Sequence, residues 1–94
     1  MNPEIVVTHR PEASRFEARL GDEVAVCAYR RQDGTLLMTH AEVPPAFEGR
    51  GIAAALVREA LAWARAQGLK VRPLCSYVAV YMRRHPETQD LLAR

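Results

Sequence analysis

Residues 47–64 read FEGRGIAAALVREALAWA: two glycines flank an arginine, and the chain then runs directly into alanines and leucines at helical spacing. Glycines at the mouth of a strong helix let backbone approach a ligand closely, and the first helical turn offers unpaired N–H groups with a partial positive charge. An anion, usually a phosphate, is the natural guest of such a start. The alternative is that Gly49 and Gly51 only shape a turn. The helix predicted from about Arg50 to Gln67 carries Ala53, Leu56, Val57, Ala60, Leu61 and Ala64 on one broad face, with Arg58 and Arg65 opposite and Gly68 as its stop.

Upstream of this stretch the periodicity changes from helical to alternating. Glu4–His9 holds the run Ile5-Val6-Val7-Thr8 and ends at Arg10-Pro11, which predicts a first strand. Ser14–Leu20 alternates Phe16, Ala18 and Leu20 against Arg15, Glu17 and Arg19, the pattern of a half-buried strand. After a Gly21-Asp22 turn, Glu23–Arg31 sets Val24, Val26 and Ala28 against Ala25, Cys27 and Tyr29; Asp33-Gly34 turns again into a fourth strand, Thr35–Val43. Connections this short join neighbours antiparallel, so the four form a meander. Pro44-Pro45 stops the fourth strand, because proline cannot donate to a ladder. Beyond the long helix, Leu69–Leu74 reads as a short fifth strand, Ser76 as the cap of a second helix through about Arg84, and His85-Pro86 as its end. The expected class is α+β: a mostly antiparallel, mixed sheet of about five strands with two helices, in a single domain spanning residues 1–94.

Ninety-four residues hold one core, and 49% hydrophobic with 26% charged residues describes a globular chain rather than a disordered one. A net charge of +2 favours an anionic ligand but falls short of a nucleic-acid footprint, and 6% aromatic residues supply no stacking platform for single strands, so no nucleic-acid partner is expected. Cys27 and Cys75 show neither a disulfide framework nor a metal-ligand cluster, which predicts free thiols in a reducing compartment and no metal. No charged leader precedes an apolar core and no run approaches a membrane span, so the expectation is a cytoplasmic protein without a membrane partner.

Three phosphate-binding loops compete for EGRGIAAAL. A P-loop needs lysine and then Ser or Thr after its last glycine, where this chain has Ile52 and Ala53. The dinucleotide pattern G-x-G-x-x-A fits Gly49–Ala54 by spacing, but it belongs after a strand of a βαβ unit, whereas here a hairpin meander and two prolines come first. The next strand also offers Lys70 and Arg72 where an acidic ribose-binding residue belongs. The third loop is that of motif A: Pro44–Ala53, followed by an amphipathic helix, a short strand and a tyrosine-bearing helix, resembles the GNAT superfamily of acetyl-CoA-dependent N-acetyltransferases. The family's pattern falls on Glu48-Gly49-Arg50-Gly51-Ile52-Ala53, with Glu48 where the family prefers Gln or Arg. EVPPAFEGRGIA, from Glu42, and GLKVRPLCSYVAVYMRRHPE, from Gly68, together resemble the small single-domain GNAT-like family from the third strand to Glu87. That resemblance implies a shortened fold, in which the His9–Ser14 loop stands for two helices of the larger proteins and their last strands are missing.

The resemblance also implies roles. Coenzyme A would be held by Val43, Gly49, Arg50, Gly51, Ile52, Ala53 and Arg84: amides of the glycine turn on the pyrophosphate, Arg50 adding charge, and backbone near Val43 on the pantetheine arm between splayed strands four and five. Arg83 and Arg84 could equally only complement the helix dipole. A direct transfer needs a group to take the amine's proton. The two-residue period puts Leu36, Met38, His40 and Glu42 on one face, so His40 and Glu42 are candidates for base or relay, or else a solvated surface pair. Cys75, just ahead of a helix start that favours a thiolate, matches a cysteine that in the small family is a candidate to accept the acetyl group or handle a proton; the alternative is a small buried hydrophobe. Tyr81 matches the tyrosine that protonates the departing thiolate in many GNAT proteins, with ring packing as the alternative. Cys27 and Trp63 read as core, and His85 as a helix end. The function implied is acetyl transfer from acetyl-CoA to an unidentified small-molecule or protein amine; the alternative is a non-catalytic coenzyme A-binding module or small interaction protein. A third reading, a nucleic-acid adaptor built on Arg30, Arg31, Arg72, Arg83 and Arg84, ranks below both. An exposed fifth strand would give a homodimer an edge to pair through.

Overall fold

Tight turns place each of the first four strands beside its predecessor. β1 (Val7–Arg10), β2 (Arg15–Leu20), β3 (Glu23–Gln32) and β4 (Thr35–Glu42) pair antiparallel in chain order. Between β3 and β4, Asp33 and Gly34 both have positive φ (48° and 79°), as a two-residue turn matched to strand twist requires. α1 (Ile52–Ala66) then crosses over and returns the chain as β5 (Lys70–Pro73), parallel to β4, followed by α2 (Ser76–Arg84). The sheet order is β1-β2-β3-β4-β5, the α+β mixed sheet with two helices expected from the pattern. This computed structural model describes residues 5–94; Glu4, at the start of the expected first strand, lies outside the described residues. No helix among the described residues is long and apolar enough to cross a membrane.

Both helices lie on one face of the sheet and share its core. From the strands come Phe16, Ala25, Cys27, Tyr29, Leu36, Met38 and Val71; α1 adds Leu56, Val57, Ala60, Leu61 and Ala64, and α2 adds Val78, Tyr81 and Met82. The stripe of α1 is rotated slightly from expectation: Ile52 and Ala55 are buried, while Ala53 is half-buried at the helix mouth. α1 ends where Gly68 (φ +71°) takes the left-handed conformation, with Gly68 N–H bonded to Arg65 O and Leu69 N–H to Ala64 O at 2.9 Å.

Three sequence expectations are corrected. First, β4 does not alternate regularly: pairing with β3 steps from Tyr29–Met38 to Ala28–His40, so Thr39 is an extra residue on β4. A bulge of one residue inverts the alternation beyond it. Leu36 and Met38 therefore face the helices, while His40 and Glu42 point from the opposite face and Ala41 takes the core-side position opposite Cys27. Second, Ser76 is the first residue of α2 rather than its cap; Cys75 occupies the cap position, with no side-chain cap bond. Third, β5 is not an open edge along its length. The chain turns through Pro86–Leu91, Leu92 bridges to Val71, and Ala93 N–H donates to Val71 O at 2.8 Å. Arg65 clamps that tail with a two-pronged contact to Asp90 (2.6 and 3.0 Å), and Leu91 seals into the core.

Candidate functional site

β4 and β5 pair only as far as Met38–Pro73. There the N–H groups of Leu74 and Cys75 both donate to Met38 O, each at 3.0 Å, and the chain turns away into α2. β4 continues without a partner on that side. The gap opens a cleft of about 510 Å³, walled by Ala41–Val43 at the end of β4 and just beyond it, by the turn and first residues of α1, and by Tyr77 from α2.

The glycine turn forms one side of the cleft. Gly49 and Gly51 both have φ +79°, and a methyl group built on either would meet nothing within 4 Å, so backbone conformation rather than crowding calls for glycine. Gly51 caps α1 without a side chain, and the first helical bond is Ala55 N–H to Gly51 O at 3.0 Å. The amides of Ile52, Ala53 and Ala54 therefore have no acceptor within the helix, and Ile52 and Ala53 border the cleft. The buried Ile52 side chain anchors this turn to the core. Donors plus dipole at an open mouth suit an anionic group.

The remaining candidate residues divide between wall and periphery. Val43 and Glu42 are in the wall, and Glu42 accepts a hydrogen bond from His40 Nε2 at 3.2 Å, with both side chains solvent-exposed. Arg50 is turned off the wall, its guanidinium 5.3 Å from the centre of the Phe47 ring. Arg84 is exposed on the last turn of α2 and does not border the cleft. Cys75 is half-buried against the core at the head of α2, beside the wall rather than in it. Burial and the neighbouring Cys75 push the Cys27 thiol up to about 12, which makes it an inert core residue.

Tyr81 is buried, and its ring stacks on His85 at 3.9 Å; burial raises its phenol above the ordinary value. His85 Nδ1–H donates to the Tyr81 carbonyl at 2.7 Å, so the imidazole finishes the helix. The tyrosine that borders the cleft is Tyr77, one turn earlier and 40% exposed. Tyr77, Ala41 and Phe47 are wall residues that motif reasoning passed over, and Glu48, the departing first position of the motif, also stands in the wall. For Tyr77 a signal was available: Val78, Tyr81 and Met82 fall at i, i+3 and i+4, an apolar stripe that turns Tyr81 inward and Tyr77 out.

Residues 15–91 match the GCN5-related N-acetyl-transferase family, a span that holds the entire cleft wall. The chain belongs to that family. Among its GCN5-related relatives, Protein NATD1 of Xenopus tropicalis is 34% identical over 90 residues, covering 93% of this chain and 83% of that protein. Protein NATD1 of Homo sapiens is 33% identical, again over 93% of this chain and 80% of its own length. In three dimensions the GCN5-related fold is shared with a GCN5-like protein of Staphylococcus aureus solved by NMR, with a TM-score of 0.76 at 20% identity, covering 95% of this chain and 88% of that one.

Proposed function

We propose that the chain binds acetyl-CoA in the β4–β5 cleft and transfers the acetyl group to an amine, acting in the cytoplasm. One observation carries this reading: the unpaired stretch of β4 and the free amides at the start of α1 border the same cleft, so a long thioester with a phosphate end meets both in one bound pose. Acetyl-CoA supplies an activated thioester. The amides of Ile52 and Ala53 bind phosphate oxygens, and backbone of Ala41–Val43 takes the amide-bearing arm as an added strand would. The wall of Tyr77 and Phe47 supplies apolar contact along the arm. Glu42, in the wall and held by His40, receives the proton of the attacking amine, and its open position lets that proton pass to solvent through the imidazole.

Cys75 marks the second route. At the head of α2 it is half-buried and does not border the cleft, which favours direct transfer. Thiol release from acetyl-CoA over a panel of primary amines tests the reading. Glu42→Gln is expected to lower kcat by about a hundredfold, the usual scale for losing a general base. Activity retained by Cys75→Ala supports direct transfer; its loss assigns the acetyl group to the thiol. A non-catalytic coenzyme A-binding module is the second reading, favoured by the placement of Cys75 and Tyr81 off the wall, and it predicts binding with no thiol release for any amine.

A further inference from the structure

The charged side chains of the cleft carry the same sign as the anion that its glycine turn suits. Glu48 stands in the wall beside Gly49, exposed, and its carboxylate has no ion-pair partner among the described residues. Arg50, two positions on, is folded over Phe47 and contributes nothing to the wall. The other ionisable residue of the wall besides Tyr77 is Glu42, so two wall residues are acidic and none is lysine or arginine. Within the wall, attraction for an anion therefore comes from backbone: the free amides of the first turn and the dipole of α1.

We propose that Glu48 is a specificity-determining residue that sets how much the phosphate groups of the thioester donor contribute to binding. It holds that contribution down, so that the pantetheine arm carries most of the affinity. This rests on the reading of the cleft as a coenzyme A thioester site. A carboxylate in the wall of the same turn lies within a Debye length, about 10 Å at 0.1 M salt, of any diphosphate on the Ile52 and Ala53 amides. In an open, watery mouth the repulsion amounts to about three- to tenfold in Kd, the same order as the attraction of a helix N-terminus. The two nearly cancel, and the cleft discriminates among donors by the fit of the arm rather than by the charge of the nucleotide. Weak retention of the anionic product follows from the same balance.

The test is calorimetric titration of the full chain, Glu48→Gln and Glu48→Lys with pantetheine, 4′-phosphopantetheine and coenzyme A, at low and high salt. Glu48 is exposed and unbonded, so both variants keep the fold. Coenzyme A is expected to bind Glu48→Gln about three- to tenfold more tightly than the parent, and Glu48→Lys more tightly still. Pantetheine binds all three alike, and the gain for coenzyme A shrinks as salt rises. Equal or weaker coenzyme A binding by Glu48→Gln, with the parent binding normally, overturns the role of Glu48 and leaves the cofactor reading standing. Failure of all three proteins to bind both pantetheine and coenzyme A overturns the two together.

Discussion

Cys27 and Cys75 are chemically unlike because of where the sheet puts them. Cys27 is fully buried with its thiol pushed up to about 12, whereas Cys75 is half-buried at a helix start. Brief alkylation of the native protein near neutral pH is expected to give a single adduct, on Cys75; equal labelling of Cys27 by mass spectrometry would contradict the burial. Gly51 is set apart by backbone rather than by room. Gly51→Ala forces a left-handed conformation on a residue with a Cβ, at a cost of about 1–2 kcal/mol, read as a lower urea midpoint with no clash to relieve. Both glycines of the turn are legible in the sequence, since a sharp turn with positive φ into a helix has few other spellings. Tyr77 is less so, because the choice between it and Tyr81 depends on the phase of a nine-residue helix that a one-residue shift of its start would change.

β4 is the element where pattern reasoning fails, and for a physical reason. TLLMTHAE alternates well enough to pass for a regular strand, and nothing in it announces that Thr39 will be left over against β3. The bulge is settled by long-range pairing, and it moves His40 and Glu42 to the face away from the helices. β1 docks by a different device. His9 Nε2 hydrogen-bonds the Tyr29 hydroxyl at 2.6 Å, its ring stacks on Phe16 at 4.1 Å, and it meets the edge of Trp63 at 4.6 Å. Burial lowers the His9 pKa below the ordinary 6.5, with nearby Glu12 opposing. The fold thus prefers the neutral ring, and the unfolded chain takes up the proton first. That contribution to stability is complete above pH 6.5 and is lost as pH falls through the folded value. The fluorescence of Trp63, the single tryptophan, should report a loosening on the acid side of 6.5 that His9→Leu abolishes. Glu17 acts in a lower window. Hydrogen bonds from Arg15 at 2.6 Å and from Arg10 hold its carboxyl below 4.5, so its stabilisation is present above that value and fades as pH drops through the folded pKa. Thermal midpoints of Glu17→Gln should fall less steeply below pH 4.5 than those of the parent.

The molecule as a whole is a single sheet with helices on one face, closed at β5 by its own C-terminal residues. That closure was the least legible feature: PETQDLLAR is too short and irregular for a periodic signal, and its value lies in contacts with Arg65, Lys70 and Val71, distant in sequence. Leu91→Ala is expected to destabilise the chain by about 2–4 kcal/mol through the cavity it leaves. We further propose that removing Pro86–Arg94 bares the β5 edge, and light scattering should then show more self-association than in the intact chain. The overall fold class, by contrast, follows from turns and periodicity, and the family from two motifs that lie on opposite sides of one cleft. The claim that joins them is that this cleft takes acetyl-CoA. Calorimetric titration with acetyl-CoA tests it most directly, with NADPH as the competing phosphate ligand and Ala53→Trp to fill the wall. The expected result is one acetyl-CoA per chain, no NADPH binding, and loss of acetyl-CoA binding in an Ala53→Trp protein that still unfolds cooperatively. Absence of acetyl-CoA binding by the parent, or binding of NADPH in its place, would contradict it.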